Sequence, residues 1–314
     1  MQFLSALLSS MPGAVAQGLI WGVMAIGVYI TYKILDVADL TVDGSLCTGG
    51  AVCVILTLNG IPMPVALIAA VLVGMLAGFV TGIFHTAFGI PAILAGILTQ
   101  LALYSVNLHI MGWGTDNGSK ANLPISVDKY NLLVSSRYVR DLKLDNPIFI
   151  LAIFLVIIIL VLYWFFGTEL GSSLRATGAN ANMARAQGIN TSFTKVLGLM
   201  LSNGLVALSG ALLSQYQGFS DINMGRGAIV IGLAAVIIGE VIFDKIFRNF
   251  GLKLLSCVIG AVIYYVVIQI VLKLGLSTDD LKLLTAVVVA LFLAIPYWKG
   301  KYFTKAKKGA QTNA

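Results

Sequence analysis

Eight or nine apolar runs of about bilayer length divide this chain, and no other feature limits its fold so strongly. A helix needs about 20 apolar residues to cross the hydrocarbon at about 1.5 Å each. The runs fall at 13–33, 44–58, 63–84, 88–111, 147–166, 196–217, 227–243, 254–273 and 283–298, and the second and seventh are short enough to be partial or re-entrant. Of the 314 residues 59% are hydrophobic and 11% charged, whereas a soluble domain carries roughly a quarter charged. Apolar surface on that scale faces lipid. The expected fold is an all-α, polytopic transmembrane bundle.

The net charge of +7 does not point to nucleic acid, because the basic residues form no stripe that would track a phosphate backbone. Lys299, Lys301, Lys305, Lys307 and Lys308 follow the final apolar run without an acid among them. This reads as a basic cytoplasmic tail, 299–314, beside anionic lipid, after a single permease domain over 1–298. With nine spans, a tail inside places the amino terminus outside and the loop from Gly167 to Lys195 in the cytoplasm; the tail decides this orientation.

Cys47, Cys53 and Cys257 form no Cys-x-x-Cys pair and have no nearby histidine, so neither a disulfide framework nor a metal site is expected, and no cofactor. His85 and His109 each fall near the end of an apolar run and read as interfacial. The amino-terminal stretch lacks the basic region of a cleaved signal peptide. Its apolar residues recur at helical spacing up to Pro12, which predicts a short surface helix ending there.

Small residues are patterned. Gly74, Gly78 and Gly82 repeat every four residues, as do Gly18 and Gly22, leaving strips where neighbouring helices approach closely. Gln100, Asn107 and Asn203 are uncharged polar residues inside spans, suited to bridging helices or to lining a pathway. Glu240, with Asp244 and Lys245 just beyond it, reads as a membrane-surface residue.

Two spans are interrupted. After the first run Asp36, Asp39 and Asp43 recur at i, i+3 and i+7, a spacing that would share one helix face. Either they sit in water, at an interface or in a protein-lined cavity, because a carboxylate at mid-membrane is costly, or they form a plain cytoplasmic turn that caps the next helix. After the sixth run Gly218, Asp221, Gly225 and Gly227 lead into another short apolar helix. On the nine-span topology the two breaks run in opposite senses, as in the inverted repeats of transporters. Asp39, Asp43 and Asn203 are the pathway candidates.

The hydrophilic segment GTELGSSLRATGANANMARAQGINTSF is long enough for two short helices. Asn180 can cap a helix through ANMARAQ and Gly188 can end it. A helix of that length is marginal alone, so docking to a partner protein would support it, with Met183 as an apolar and Arg185 as a polar anchor.

The stretch LGSSLRATGANANMARAQGI resembles the cytoplasmic loop of permeases in the branched-chain amino acid and ribose class of bacterial ABC importers. GLIWGVMAIGVYITYKILDVADLTVDGS, GIPAILAGILTQLALYSVNLHIMG and GAIVIGLAAVIIGEVIF extend the likeness along most of the chain, toward a subgroup linked to aromatic amino acids such as tryptophan or tyrosine. The resemblance implies a coupling helix over Gly178–Gly188, with Asn180, Asn182, Met183, Arg185 and Gly188 bearing on an ATPase. It also implies two ATPase subunits, a second permease copy, and an extracytoplasmic solute-binding protein that delivers the solute. No Gly-x-x-x-x-Gly-Lys-Ser/Thr loop is present, so ATP hydrolysis is expected in a partner chain and the chain is not expected to be an enzyme. The competing reading is an ion-gradient transporter in which Asp36, Asp39 and Asp43 couple the ion.

Overall fold

The computed structural model describes residues 2–114, 118–126, 129, 130, 132–139, 146–243, 246, 247, 249–273 and, further on, 283, 286, 287, 289–292 and 294. The basic tail lies outside these residues, as does half of the run at 283–298.

The chain begins with α1 (Gln2–Tyr29), which continues as a π-helical turn, Ile30–Ile34. Pro12 does not end it: the helix passes straight through, correcting the expectation of a separate surface helix. Proline is tolerated inside membrane helices because neighbouring groups can take up the freed carbonyl. The helix ends instead at Asp36, whose φ of 54° is left-handed and incompatible with a further turn.

Next come α2 (Val42–Leu58), α3 (Met63–Thr86) and α4 (Ala92–Met111). Pro62 and Pro91 stand immediately before the last two, where a missing N–H is harmless. A short strand, β1 (Asn122–Pro124), precedes α5 (Pro147–Gly167), which starts on an Asn146 side chain accepting from the Ile148 amide at 2.9 Å. The chain then forms α6 (Glu169–Ala179), α7 (Ala181–Ala186) and the long α8 (Thr191–Gln217). Gly218, at φ 80°, turns it into β2 (Phe219–Asp221), which pairs antiparallel with β1. α9 (Ala228–Phe243) and α10 (Phe250–Lys273) follow.

Among the described residues six helices are long and apolar enough to cross a membrane, five of them α3, α4, α5, α8 and α10 and the sixth the Ser9–Ile34 stretch of α1 and its π turn. The shorter apolar pair is α2 and α9, the two spans whose length is marginal in the sequence. Lipid tails are as apolar as leucine, so packing and hydrogen bonds hold such helices together. α1, α2 and α8 form the buried centre. Ser202 and Ser209 on α8 donate to the Gly27 and Ile20 carbonyls of α1 at 2.8 Å, which sets these helices antiparallel. The glycine strip of α3 lies on α8, where a Cβ at Gly82 would come within 3.0 Å of the Val196 Cα. α5 turns Ile153, Leu160 and Trp164 outward, each more than half exposed, as a lipid-facing helix does.

The short helices have opposite senses. α2 runs alongside α8, with Ser45 meeting Asn203 and Cys53 meeting Gln215. α9 opposes α10, which opposes α1, through the facing positions Gly239–Ser256 and Gly18–Val262. Thus α2 starts near mid-depth and climbs to the face that carries β1 and β2. α9 starts near the same depth and descends to the face that carries α6 and α7.

Candidate functional site

Both broken helices begin at one polar joint. Asp43, in the first turn of α2, accepts hydrogen bonds from the amides of Gly227 at 2.9 Å and Ile229 at 3.0 Å, one on each carboxylate oxygen. A helix start has unpaired N–H groups and a partial positive charge. The first break therefore caps the second helix. One turn further on, Cys47 donates through Sγ to the Ile222 carbonyl and accepts from the Gly225 amide, both at 3.2 Å. Cys47 is a buried free thiol that fastens the loop before α9 to α2.

Beside the joint opens a cavity of about 140 Å³, lined by Asp43, Gln100, Leu101, Tyr104, Asn107 and Arg226 among others. Gln100, Tyr104 and Asn107 come from one face of α4, at i, i+4 and i+7. Asn107 is 1% exposed and its amide donates to the Gly44 carbonyl at 3.4 Å, while its Oδ1 has no partner among the described residues. Arg226 is exposed and forms no ion pair among the described residues.

The three aspartates of the first break do not share a helix face. Asp36 ends the helix and points outward, Asp39 lies in the non-helical link, and only Asp43 is in α2. A periodicity argument presumes a continuous helix, and the positive φ at Asp36 removes that premise. Asp39 is 3% exposed and accepts from the Asn203 amide at 2.7 Å and the Thr41 backbone at 2.9 Å. Asn203 in turn accepts from Ser45 at 2.6 Å. Thr41, Thr81 and Thr99 extend the buried polar chain through hydroxyl contacts of 2.7 and 2.8 Å. Asp39 and Asn203 are thus drawn together, and away from the cavity that Asp43 lines.

Sequence reasoning singles out Gln100 and Asn107 but misses Tyr104, Cys47 and Arg226. The polar i, i+4, i+7 pattern on α4 is the signal that could have found Tyr104. Cys47 and Arg226 depend on contacts between distant segments and leave no local trace.

At the opposite face, Asn180 caps α7 by accepting from the amides of Asn182 and Met183 at 3.1 and 3.0 Å. Gly188, at φ 83°, follows its end. α7 itself covers only Ala181–Ala186, so Gly178 and Gly188 flank it. Met183 is 61% exposed, and Arg185 donates to Thr191 at 3.3 Å. Gly178 closes α6 against the backbone of Ile34 and Leu35, where α1 breaks. Lys33 of the π turn pairs with Glu240 near the end of α9 at 3.1 Å. His85 and His109 bond to the Ile90 and Gly118 carbonyls near the ends of α3 and α4. Among the described residues no cluster of His, Cys, Asp and Glu could hold a metal ion.

Two discontinuous helices that start from one polar joint inside a membrane bundle define a solute transporter subunit. The chain belongs to the family described as the permease component of the branched-chain amino acid transport system, whose pattern matches residues 10–296. It is similar to a tyrosine transport system permease protein of Clostridioides difficile, 42% identical across 91% of each chain. It is also similar to an uncharacterized protein of Rickettsia prowazekii, 36% identical over 90% of this chain and 95% of that one. An autoinducer 2 import system permease protein of Salmonella typhimurium is 29% identical over 58% of this chain and 49% of its own. The fold is shared with PsaBC from Streptococcus pneumoniae in complex with Fab, at a TM-score of 0.53 and 15% identity, over 97% of this chain and 99% of the other.

The chain is a multi-pass membrane permease subunit of an ABC importer, a system that works with an ATPase and a solute-binding protein. The ion-gradient reading of Asp36, Asp39 and Asp43 is corrected accordingly. Family membership supplies a different energy source, and these residues end a helix, brace a buried turn and cap α9.

Proposed function

We propose that two copies of this chain form the pathway of an importer for an amino acid, the class named for the relative that transports tyrosine. The observation that carries the reading is Arg226, an exposed arginine at about the depth where α2 and α9 begin. A guanidinium is not stable against lipid tails and turns toward a water-filled cavity or a partner. The face formed by α4 and the loop before α9 therefore meets the second copy across the pathway, while α5 meets lipid. Such isologous pairs are the commonest oligomers.

The α6–α7 face is cytoplasmic in this reading, with the amino terminus outside and the basic 299–314 tail inside, after one permease domain over 1–298. Each α7 docks on one of two ATPase subunits through Met183 and Arg185, positioned by Asn180, Asn182 and Gly188. Gly178, seated on the break of α1, passes the movement into the bundle. The pathway alternates between outward- and inward-facing states according to which the ATPase pair stabilises. Hydrolysis belongs to the ATPase, and an extracytoplasmic binding protein delivers the solute. Asp43 lines the pathway; Asp39 and Asn203 hold the turn beneath it.

The test is co-purification with the ATPase subunit of the same transport system, together with ATP-driven uptake. Arg185→Glu and Met183→Asp are each expected to reduce the recovered ATPase by about tenfold or more, since an interface anchor contributes at least about 2 kcal/mol. Normal assembly and normal uptake by both variants would remove α7 from the coupling role.

A further inference from the structure

From the cavity beside the polar joint we infer that the permease itself carries a solute subsite, which recognises the α-ammonium and α-carboxylate groups of an amino acid through Asn107 and Asp43 on one side and Arg226 on the other. The inference rests on the reading of the solute as an amino acid, and it adds the residues that would contact it.

Three observations converge. Asn107 is a residue of the cavity wall, and its Oδ1 is an acceptor buried from solvent that lacks a partner among the described residues. Buried polar atoms nearly always have partners, so an orphan in a cavity wall awaits a donor from outside the chain. Its neighbours in the wall add acceptor oxygens, the Asp43 carboxylate first, with the Gln100 carbonyl and the Tyr104 hydroxyl oxygen, although the last two groups can also donate. An ammonium group, with three N–H donors and no acceptor, matches such a wall. Asp43 spends one lone pair of each oxygen on the start of α9, which leaves further acceptor capacity facing the cavity. Arg226 supplies the opposite charge, forms no ion pair among the described residues, and presents the planar fork that suits a carboxylate.

The volume, about 140 Å³, is below that of a complete ligand pocket. The cavity thus takes the head group shared by all amino acids and leaves the side chain toward the exposed surface of Leu101 and Tyr104, which are 65% and 44% exposed. The subsite selects for a zwitterion and not for a particular side chain.

The experiment uses the permease–ATPase complex in proteoliposomes, with the solute-binding protein of the system added for uptake and Leu101→Cys as a reporter on the cavity wall. The chain without it gives the background, which is the contribution of Cys47, 4% exposed in the same cavity wall, and of the buried Cys53 and Cys257, and is subtracted. The rate of modification by a water-soluble thiol reagent is measured with and without a mixture of the proteinogenic amino acids, cysteine omitted. At about ten times its Kd a ligand leaves roughly a tenth of the sites free, and labelling slows accordingly. L-Tyrosine is expected to protect more strongly than tyramine, which lacks the carboxylate, or 4-hydroxyphenylpropanoate, which lacks the ammonium. Asn107→Leu loses the protection and Asn107→Asp keeps it. Arg226→Gln, a change at an exposed side chain, makes tyramine and tyrosine protect alike.

No protection by any amino acid overturns the subsite, as does full protection in Asn107→Leu. If Asn107→Leu does not assemble, Arg226→Gln decides: an unchanged preference for tyrosine over tyramine overturns the assignment. The two readings fail separately. ATP-driven amino acid uptake without protection sinks the subsite and leaves the importer, whereas protection without ATP-driven uptake does the reverse.

Discussion

Replacing Asp43 by alanine isolates the contact on which the union of the two broken helices depends. The carboxylate satisfies two amides, Gly227 at 2.9 Å and Ile229 at 3.0 Å, and alanine satisfies neither. Hydrogen bonds between membrane segments average about 0.6 kcal/mol and reach about 1.7, and loss of a helix N-cap costs about 0.5–2 kcal/mol. These figures describe the same bonds and are not summed. Two bonds at a partly buried helix start give about 2 kcal/mol for Asp43→Ala, roughly a 30-fold change in an unfolding equilibrium. Asp43→Asn keeps one oxygen acceptor, retains one of the two bonds, and loses about half as much. The assay is reversible unfolding of the purified permease by SDS in mixed micelles, followed by far-UV circular dichroism. If Asp43→Ala matches the unsubstituted chain within about 0.5 kcal/mol, or Asn is as damaging as Ala, the capping argument is wrong.

Asn203→Leu removes the partner of Asp39 Oδ2, leaving the carboxylate only the Thr41 amide on its other oxygen, and takes away the acceptor of the Ser45 hydroxyl. Unfolding in the same assay should show a loss of about 3 kcal/mol, the upper part of the range for an unsatisfied buried group; a value under about 1 kcal/mol would contradict the network. Asp36→Gly goes the other way. At φ 54° a glycine relieves left-handed strain, and the same titration is expected to show a stability equal to or up to about 1 kcal/mol above that of the parent chain.

The sequence makes the spans legible because bilayer thickness imposes a length that no soluble helix must meet, and the shortness of α2 and α9 is visible for the same reason. The ends of α7 are legible too: Asn180 and Gly188 act on their own neighbours, and such local chemistry survives in the order of residues. Asp36, Asp39 and Asp43 show where this stops. Their spacing is helical, yet one residue with a positive φ sends the three to a helix end, a buried turn and a helix cap. Pro12 shows the converse, a strong breaker overruled by its surroundings. Arg226 enters the candidate site only through the approach of residues nearly two hundred positions apart, which no short-range pattern records.

Bonds at both ends of α9 give it a role beyond that of a short span. Its start is held by Asp43, just past the gap in the first broken helix, and its far end by Lys33, just before that gap. Sixteen residues of helix, about 24 Å, thus lie as a splint over a fracture. The severed ends keep their alignment without a continuous backbone ladder between them, so tilting either half carries the other along.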